Sequence, residues 1–292
     1  MDRVLSDKKA ICLFVLPALL LFVCVVIIPI GISFYYSMLD WNGIGTGSFI
    51  GFANYGKLFF AKTSKFWNAA GNSFLYAAIS LLVQLPISLL LAIVISSKVK
   101  FENFYRTAFF IPVIISTVVI GQLWMKIYNP DYGLLNALLR LVGLESLTRT
   151  WLGDKTTALG ATFVPILWQY VGYHMLLMYG AIKSIPYDLF EAAKIDGASP
   201  ARTAVAITIP MIRPMLKVSA TFSMIGSLKV FDLIHVLTNG GPSGASEVPT
   251  TLMYKTIFLK NQYGYGSSMA MFIVAECMIL TLLIRRLFRE KV

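Results

Sequence analysis

The sequence predicts an all-α integral membrane protein with six transmembrane helices, and three observations lead there. Of 292 residues, 57% are hydrophobic and only 13% charged, about half the charge of an ordinary soluble domain. Mean hydropathy is +0.73, so much of the side-chain surface must face lipid. Six stretches stay apolar over the roughly 20 residues that a helix needs to cross a bilayer at about 1.5 Å per residue, and the Lys and Arg residues fall unevenly between them. This composition excludes a soluble globular enzyme, a disordered chain and a secreted disulfide scaffold.

The first stretch, 10–39, follows Lys8 and Lys9 as a secretory leader would. Its apolar run from Ile11 to Ile32 is longer than a leader's core, and no small-x-small cleavage pattern follows, so it reads as a retained anchor. The others are 69–97, 107–125, 157–182, 218–237 and 267–284. Cys12, Cys24 and Cys277 lie inside apolar runs without metal-ligand spacing and read as small apolar residues.

Six spans place both termini on one side. Segments on that side (1–9, 98–106, 183–217 and 285–292) carry fifteen Lys and Arg in 61 residues, against nine in 89 on the other. Positive charge resists translocation, so the denser side is expected to be cytoplasmic. The net charge of +11 is then mainly a topology signal. No basic patch interleaves with solvent-facing aromatics, so nucleic acid is not an expected partner. The organisation expected is a tail, first span and external loop over 1–68, a five-helix core over 69–284, and a basic tail over 285–292.

The cytoplasmic loop 183–217 reads KSIPYDLFEAAKIDGASPARTAVAITIPMIRPMLK. Its grammar is two short helices around a sharp turn. Ser184 is placed to cap the first, Pro186 fits its first turn, and Gly197 supplies the left-handed residue that ends it. Ser199 and Pro200 restart a helix in the favoured cap-then-proline order. Pro210 and Pro214 interrupt it before the fifth span. Such a pair cannot bury its own apolar face and is built to dock against something.

Glu191-Ala192-Ala193, Asp196-Gly197-Ala198, Ile207, Pro210 and Pro214 resemble the EAA loop of ABC-importer permeases. Phe104-Tyr105-Arg106-Thr107, Pro112, Trp124, Gly133-Leu134-Leu135-Asn136, Phe231-Asp232, Thr238-Asn239-Gly240-Gly241-Pro242, Tyr254 and Phe258 are similar to the carbohydrate-uptake branch, the maltose- and glycerol-phosphate-type permeases. The resemblance implies a type I importer permease core in a bacterial or archaeal cell membrane, multi-pass with both termini cytoplasmic. It also implies a homologous second permease, two ABC ATPase subunits that bind ATP and Mg, and an extracytoplasmic sugar-binding protein. The loop would be the coupling helix, seated in a groove of the ATPase. Ala192 and Ala193 would admit a close partner backbone, Glu191 would meet a cation, and Gly197 would keep the turn narrow. Ala204 stands where that family usually has phenylalanine, and Ala201 where an aromatic is common.

Ionisable and amide groups inside spans usually face a bundle interior or a cavity. Gln84, Gln169, His174, Lys229, Asp232, His235 and Glu276 are such groups, and with Tyr173 and Asn239 they are candidates for a sugar pathway. Lys229 and Asp232, three apart, can instead pair on one helix face, and Glu276 can neutralise a lysine of a neighbouring helix. Phe163, Trp168, Tyr170, Tyr173 and Tyr179 crowd the fourth span, where rings serve as sugar platforms or as interfacial anchors.

No G-x-x-x-x-G-K-[ST] phosphate loop occurs. Gly43, Gly45, Gly47 and Gly51 read as a flexible external loop, and no nucleophile, carboxylate pair or metal cluster stands out. The chain is therefore expected to be no enzyme, with no cofactor of its own. The function expected is one half of an ATP-driven sugar importer working by alternating access. A glycerol-phosphate or other polyol permease, a secondary carrier, and a membrane receptor or scaffold recruiting a cytoplasmic protein are the alternatives.

Overall fold

The computed structural model describes residues 8–61, 65–97 and 99–287. In chain order, α1 (Lys8–Phe22) passes through a π turn, Val23–Ile27, into α2 (Ile28–Ser37). The ribbon of β1 (Leu39–Asp40) and β2 (Ser48–Phe49) is antiparallel, with Leu39 opposite Phe49. Then come α3 (Ala53–Phe60), α4 (Phe66–Ile79), a π turn at Ser80–Gln84, α5 (Leu85–Ser96), α6 (Glu102–Ile114), α7 (Thr117–Ile127) and α8 (Leu134–Leu141). The long α9 (Ala158–Lys183) leads to α10 (Tyr187–Ile195), α11 (Pro200–Thr203), a π turn at Ala204–Thr208 and α12 (Ile209–Met211). The remaining helices are α13 (Arg213–Leu228), α14 (Asp232–Leu237), α15 (Pro249–Tyr254) and α16 (Tyr263–Leu287).

Proline explains three of the π turns. Pro29, Pro86 and Pro210 each stand two residues after one. A proline ring clashes with the carbonyl four residues back and offers it no N–H. The wider turn closes by bonds from Ile28 to Val23, Leu85 to Ser80 and Ile209 to Ala204, five residues apart. The helix continues without a kinked stop.

Residues 13–37, 66–96, 213–237 and 263–286 each form a span long and apolar enough to cross a membrane. The expected third span is not straight: α6 and α7 meet at a bend of 97° across Ile115 and Ser116. The expected fourth is α9, whose 26 residues reach about 39 Å. Its mid-section carries Gln169, Tyr170, Tyr173 and His174, and Gln169 and His174 are buried within the protein. A helix enclosed by other helices does not need a lipid-like composition.

The chain divides into two compact units, Met1–Ser64 with Met253–Val274 and Lys65–Leu252 with Ala275–Val292. In the first, Asn54 is buried and donates to the carbonyls of Ser37 and Leu39, both at 2.9 Å, fixing the turn at the end of α2. Trp41 packs between Tyr36 and Tyr263, with ring centroids 4.5 and 5.6 Å away. The second unit packs α4, α5 and α13 around α9 through Ala77, Ala92, Met175, Met178, Met224 and Leu228. Gly172 is required there, because a Cβ would lie 1.8 Å from the Phe109 carbonyl oxygen of α6. Between α7 and α9, Asn136 is buried, donating to the carbonyls of Pro130 (3.2 Å) and Arg149 (3.0 Å) and accepting from Trp151 Nε1 (2.8 Å). Just before α9, the Thr156 backbone N–H and hydroxyl hold the Asp154 carboxyl below its ordinary range.

Candidate functional site: a cavity and the loop that spans its walls

The second unit holds a partly open cavity of about 480 Å³, within the range of small-molecule sites. Val113 and Thr117 line it from either side of the α6–α7 bend, Gln84 from the π turn, and Gln169, Tyr170, Tyr173 and His174 from α9. Phe222, Ser223 and Ser227 of α13 and the Lys229–Leu233 segment complete the wall. Irregular backbone at membrane depth is tolerated where it is enclosed by protein or lines such a space, which accounts for the bend. Gln169 donates from Nε2 to Thr117 Oγ1 at 3.2 Å. Its Oε1, His174 Nδ1 and Ser223 Oγ are buried without a partner among the described residues. Buried polar atoms are normally paired, so this wall has hydrogen-bonding capacity in reserve.

Of the residues expected on a sugar pathway, Gln84, Gln169, Tyr173, His174, Lys229 and Asp232 are brought to this cavity, and His235, Asn239 and Glu276 are not. Asn239 sits in the exit turn with φ +46°, its Oδ1 3.1 Å from His235 Nδ1. Glu276 is buried and accepts from the Ser73 hydroxyl at 3.4 Å, where a lysine was expected. Lys229 and Asp232 form no ion pair; the one salt bridge among the described residues is Lys183–Glu102. Their spacing suits pairing only on an unbroken helix, and α13 ends at Leu228 while Phe231 adopts φ −139°, ψ −65°. Tyr179 lies at the far end of α9, Trp168 packs on Trp124, and Phe163 packs on Tyr76. Sequence reasoning missed Ser223, Ser227 and Thr117. The four-residue spacing of Ser219, Ser223 and Ser227 marks one helix face but does not say what that face meets.

The cytoplasmic loop is a hairpin of α10 and α11. Gly197 has φ +73°, its N–H bonds to the Lys194 carbonyl at 3.1 Å, and the Ala198 N–H reaches back to Ala193 at 2.9 Å, the paired bonds of a Schellman end. Ser199 accepts from the Arg202 N–H at 3.3 Å and Pro200 follows, as expected. Ser184 does not cap α10. Its hydroxyl donates to Ala181 at 2.7 Å at the end of α9, because that helix runs on to Lys183. Pro186 stands at the start of α10 instead. Glu191, Ala192, Asp196, Gly197 and Pro210 are exposed, Ala198 and Ile207 half-buried. Ala193 is buried against its own chain, so its small size serves internal packing. Ile195, which the sequence did not single out, is 85% exposed at the tip beside Asp196 and Gly197.

At the base of the hairpin, Lys183 Nζ lies 3.1 Å from Glu102 Oε1 and donates to the Ser96 carbonyl at 3.2 Å. Tyr179 donates to Glu102 and accepts from Arg106 Nη1 at 3.1 Å. The ends of α5, α6 and α9 are thus tied together where the loop begins. The loop's two struts are α9, which ends at Lys183, and α13, which starts at Arg213. Both are walls of the cavity.

Residues 84–292 match the family described as binding-protein-dependent transport system inner membrane component. The Bacillus subtilis (strain 168) protein named "Probable ABC transporter permease protein YurN" is 40% identical over 280 residues, covering 95% of each chain. The "Diacetylchitobiose uptake system permease protein NgcF" of Streptomyces coelicolor is 34% identical over 278 residues, 91% of this chain and 78% of that one. Among solved structures, a chain of a bacterial ABC transporter involved in the import of the acidic polysaccharide alginate superposes with a TM-score of 0.81 at 24% identity, over 98% of each chain. That likeness establishes the fold.

Proposed function

Since this chain belongs to the family of binding-protein-dependent transport system inner membrane components, we propose that it forms one half of the pathway of an ATP-driven carbohydrate importer, with loop 183–217 as its coupling element. It is a multi-pass membrane protein and an ABC transporter permease. The observation that carries the mechanism is that α9 and α13 are at once the struts of the loop and the walls of the cavity. A displacement of the hairpin therefore acts on the cavity directly.

In this mechanism two ATPase subunits bind ATP and Mg, close on one another and carry the coupling hairpins with them. Ile195 and Glu191 supply an apolar tip and a carboxylate for the ATPase groove. The tie among Glu102, Lys183 and Tyr179 holds the base of the hairpin, so its motion turns α9 instead of fraying it. The pathway, completed by a homologous second permease, opens to the outside, and a binding protein delivers the sugar. Hydrolysis resets the cycle. ATP drives it only through different affinities for the two states. The chain itself catalyses no reaction, and both termini are cytoplasmic.

Two features support a sugar. The NgcF relative carries an uptake function for diacetylchitobiose in its name. In the cavity, rings of Tyr170, Tyr173 and Phe222 stand beside unpaired Gln169, His174 and Ser223 atoms, a match for apolar C–H faces and hydroxyls. A polyol phosphate is the second reading, favoured by Lys229 on the wall without an ion-pair partner among the described residues. Asp232 on the same wall and the absence of arginine oppose it. The test is uptake by vesicles carrying the complete transporter. ATP-dependent accumulation of a labelled disaccharide supports the reading, preferential accumulation of glycerol phosphate moves the assignment to the second, and no ATP-dependent uptake of either refutes both.

A further inference from the structure

We propose that α8 and the turn after it form a membrane-surface anchor, an apolar stripe seated in the lipid headgroup boundary on the side opposite the coupling loop. Leu134, Leu138 and Leu141 recur at the four- and three-residue spacing that lines up one helix face, and they are 58%, 49% and 82% exposed. Val142 (65%) and Leu147 (49%) extend the patch past the helix end, and Tyr132 (72%) flanks its start.

Such exposure in a loose loop would mean little, but this segment is locked. Asn129 Oδ1 accepts from the N–H groups of Asp131 and Tyr132 at 3.0 and 3.2 Å. A Cβ on Gly133 would meet the Asn129 carbonyl at 2.2 Å, so only glycine closes that turn. Buried Asn136 holds the inner face of α8 to the carbonyls of Pro130 and Arg149 and to Trp151. At the far end Gly143 has φ +77°, and the Leu144 N–H bonds to Leu139 at 2.8 Å. With its inner face pinned by polar contacts, the segment cannot roll to hide its leucines.

The occupant follows from where the segment is tethered. It begins after α7, the second half of the bent pair that together is apolar enough to be one span, and leads to α9, which the sequence marks as the fourth span, so both tethers are helices read as crossing the membrane. Only six residues separate Ile127 from Leu134, and part of that length is consumed by the turn. The stripe therefore lies at the boundary of the bilayer. Leu123 and Met125 at the end of α7, 46% and 43% exposed, carry the same kind of surface toward it. Arg140 on α8 and the Tyr132 ring suit phosphate and headgroup contacts, as basic and aromatic side chains do at this depth.

The test uses the transporter purified with its co-eluting subunits, Cys12, Cys24 and Cys277 replaced by serine, in phosphatidylethanolamine–phosphatidylglycerol vesicles. A bimane label is placed at Leu138→Cys or, separately, Leu141→Cys; both positions are exposed, so each variant should fold. Several-fold stronger quenching by shallow doxyl-labelled lipid than by aqueous iodide is expected. Dominant iodide quenching would show a solvated face and overturn the proposal. Protection from both quenchers would show a protein cover, such as the second permease or the binding protein, and would also overturn it.

Discussion

Gly197 separates two ways in which the coupling hairpin can fail. In the isolated chain an added Cβ at this position meets nothing within 4 Å, and the only obstacle is φ +73°. Holding an alanine in the left-handed region costs about 1–2 kcal/mol, and less for aspartate or asparagine, which visit it more readily. A local cost of that size does not prevent a folded core from forming or inserting. If backbone strain decided function, Gly197→Ala would be more harmful than Gly197→Asp. If the tip must enter a fitted groove, the order reverses, since aspartate adds bulk and charge where the partner surface lies. We expect Gly197→Asp to reach the membrane at the wild-type level and lose ATP-dependent uptake, with Gly197→Ala retaining more. The assays are membrane abundance, thermal stability in detergent, and uptake of labelled disaccharide by vesicles. Wild-type uptake by Gly197→Asp, or a milder defect in Asp than in Ala, would refute the reasoning.

Gly172→Ala drives a Cβ against the backbone of α6 and should cost about 1–3 kcal/mol, seen as a lower melting temperature. Gly180→Ala on the same helix meets nothing within 4 Å and should raise stability by about 0.5–1 kcal/mol; equal shifts for the two would contradict the packing of α9 on α6. Gln169→Leu removes the unpaired acceptor on the cavity wall. It should raise the KM for sugar uptake roughly fivefold, the equivalent of about 1 kcal/mol, while subunit assembly is unchanged. Glu191→Lys should weaken recovery of the ATPase in a pull-down, and unchanged recovery would remove the carboxylate from the interface.

How much of this was legible depended on whether the signal was local. Gly197 and the Ser199–Pro200 start are chemistry of a few adjacent residues, and the structure has them as read. Ser184 failed because a cap is defined by where the preceding helix stops, and α9 claims the serine for its own end. The 97° bend was invisible because residues on both sides of it, 107–114 and 117–125, are apolar, and hydropathy alone does not tell a straight span from a folded one. Pro112 lies inside α6, three residues short of the break. Pairing of Lys229 with Asp232 assumed a continuous helix. Gln169 and His174 were identifiable as costly in lipid, but only the fold brings them together with Ser223 and Thr117. Ile195 carried little signal, since one isoleucine between Lys194 and Asp196 does not say whether it packs inward or stands at the tip.

The central claim, that the hairpin at 183–217 is where a nucleotide-driven partner grips the chain, is tested most directly at Ile195. With Ile195→Cys as the sole cysteine of this chain in the complete transporter, a short photoactivatable cross-linker on that thiol should join it to the ATPase subunit, with a yield that changes when ATP is added. Cross-linking to no ATPase in a transporter that still imports its sugar, or labelling of that thiol by an impermeant reagent from outside intact cells, would contradict it.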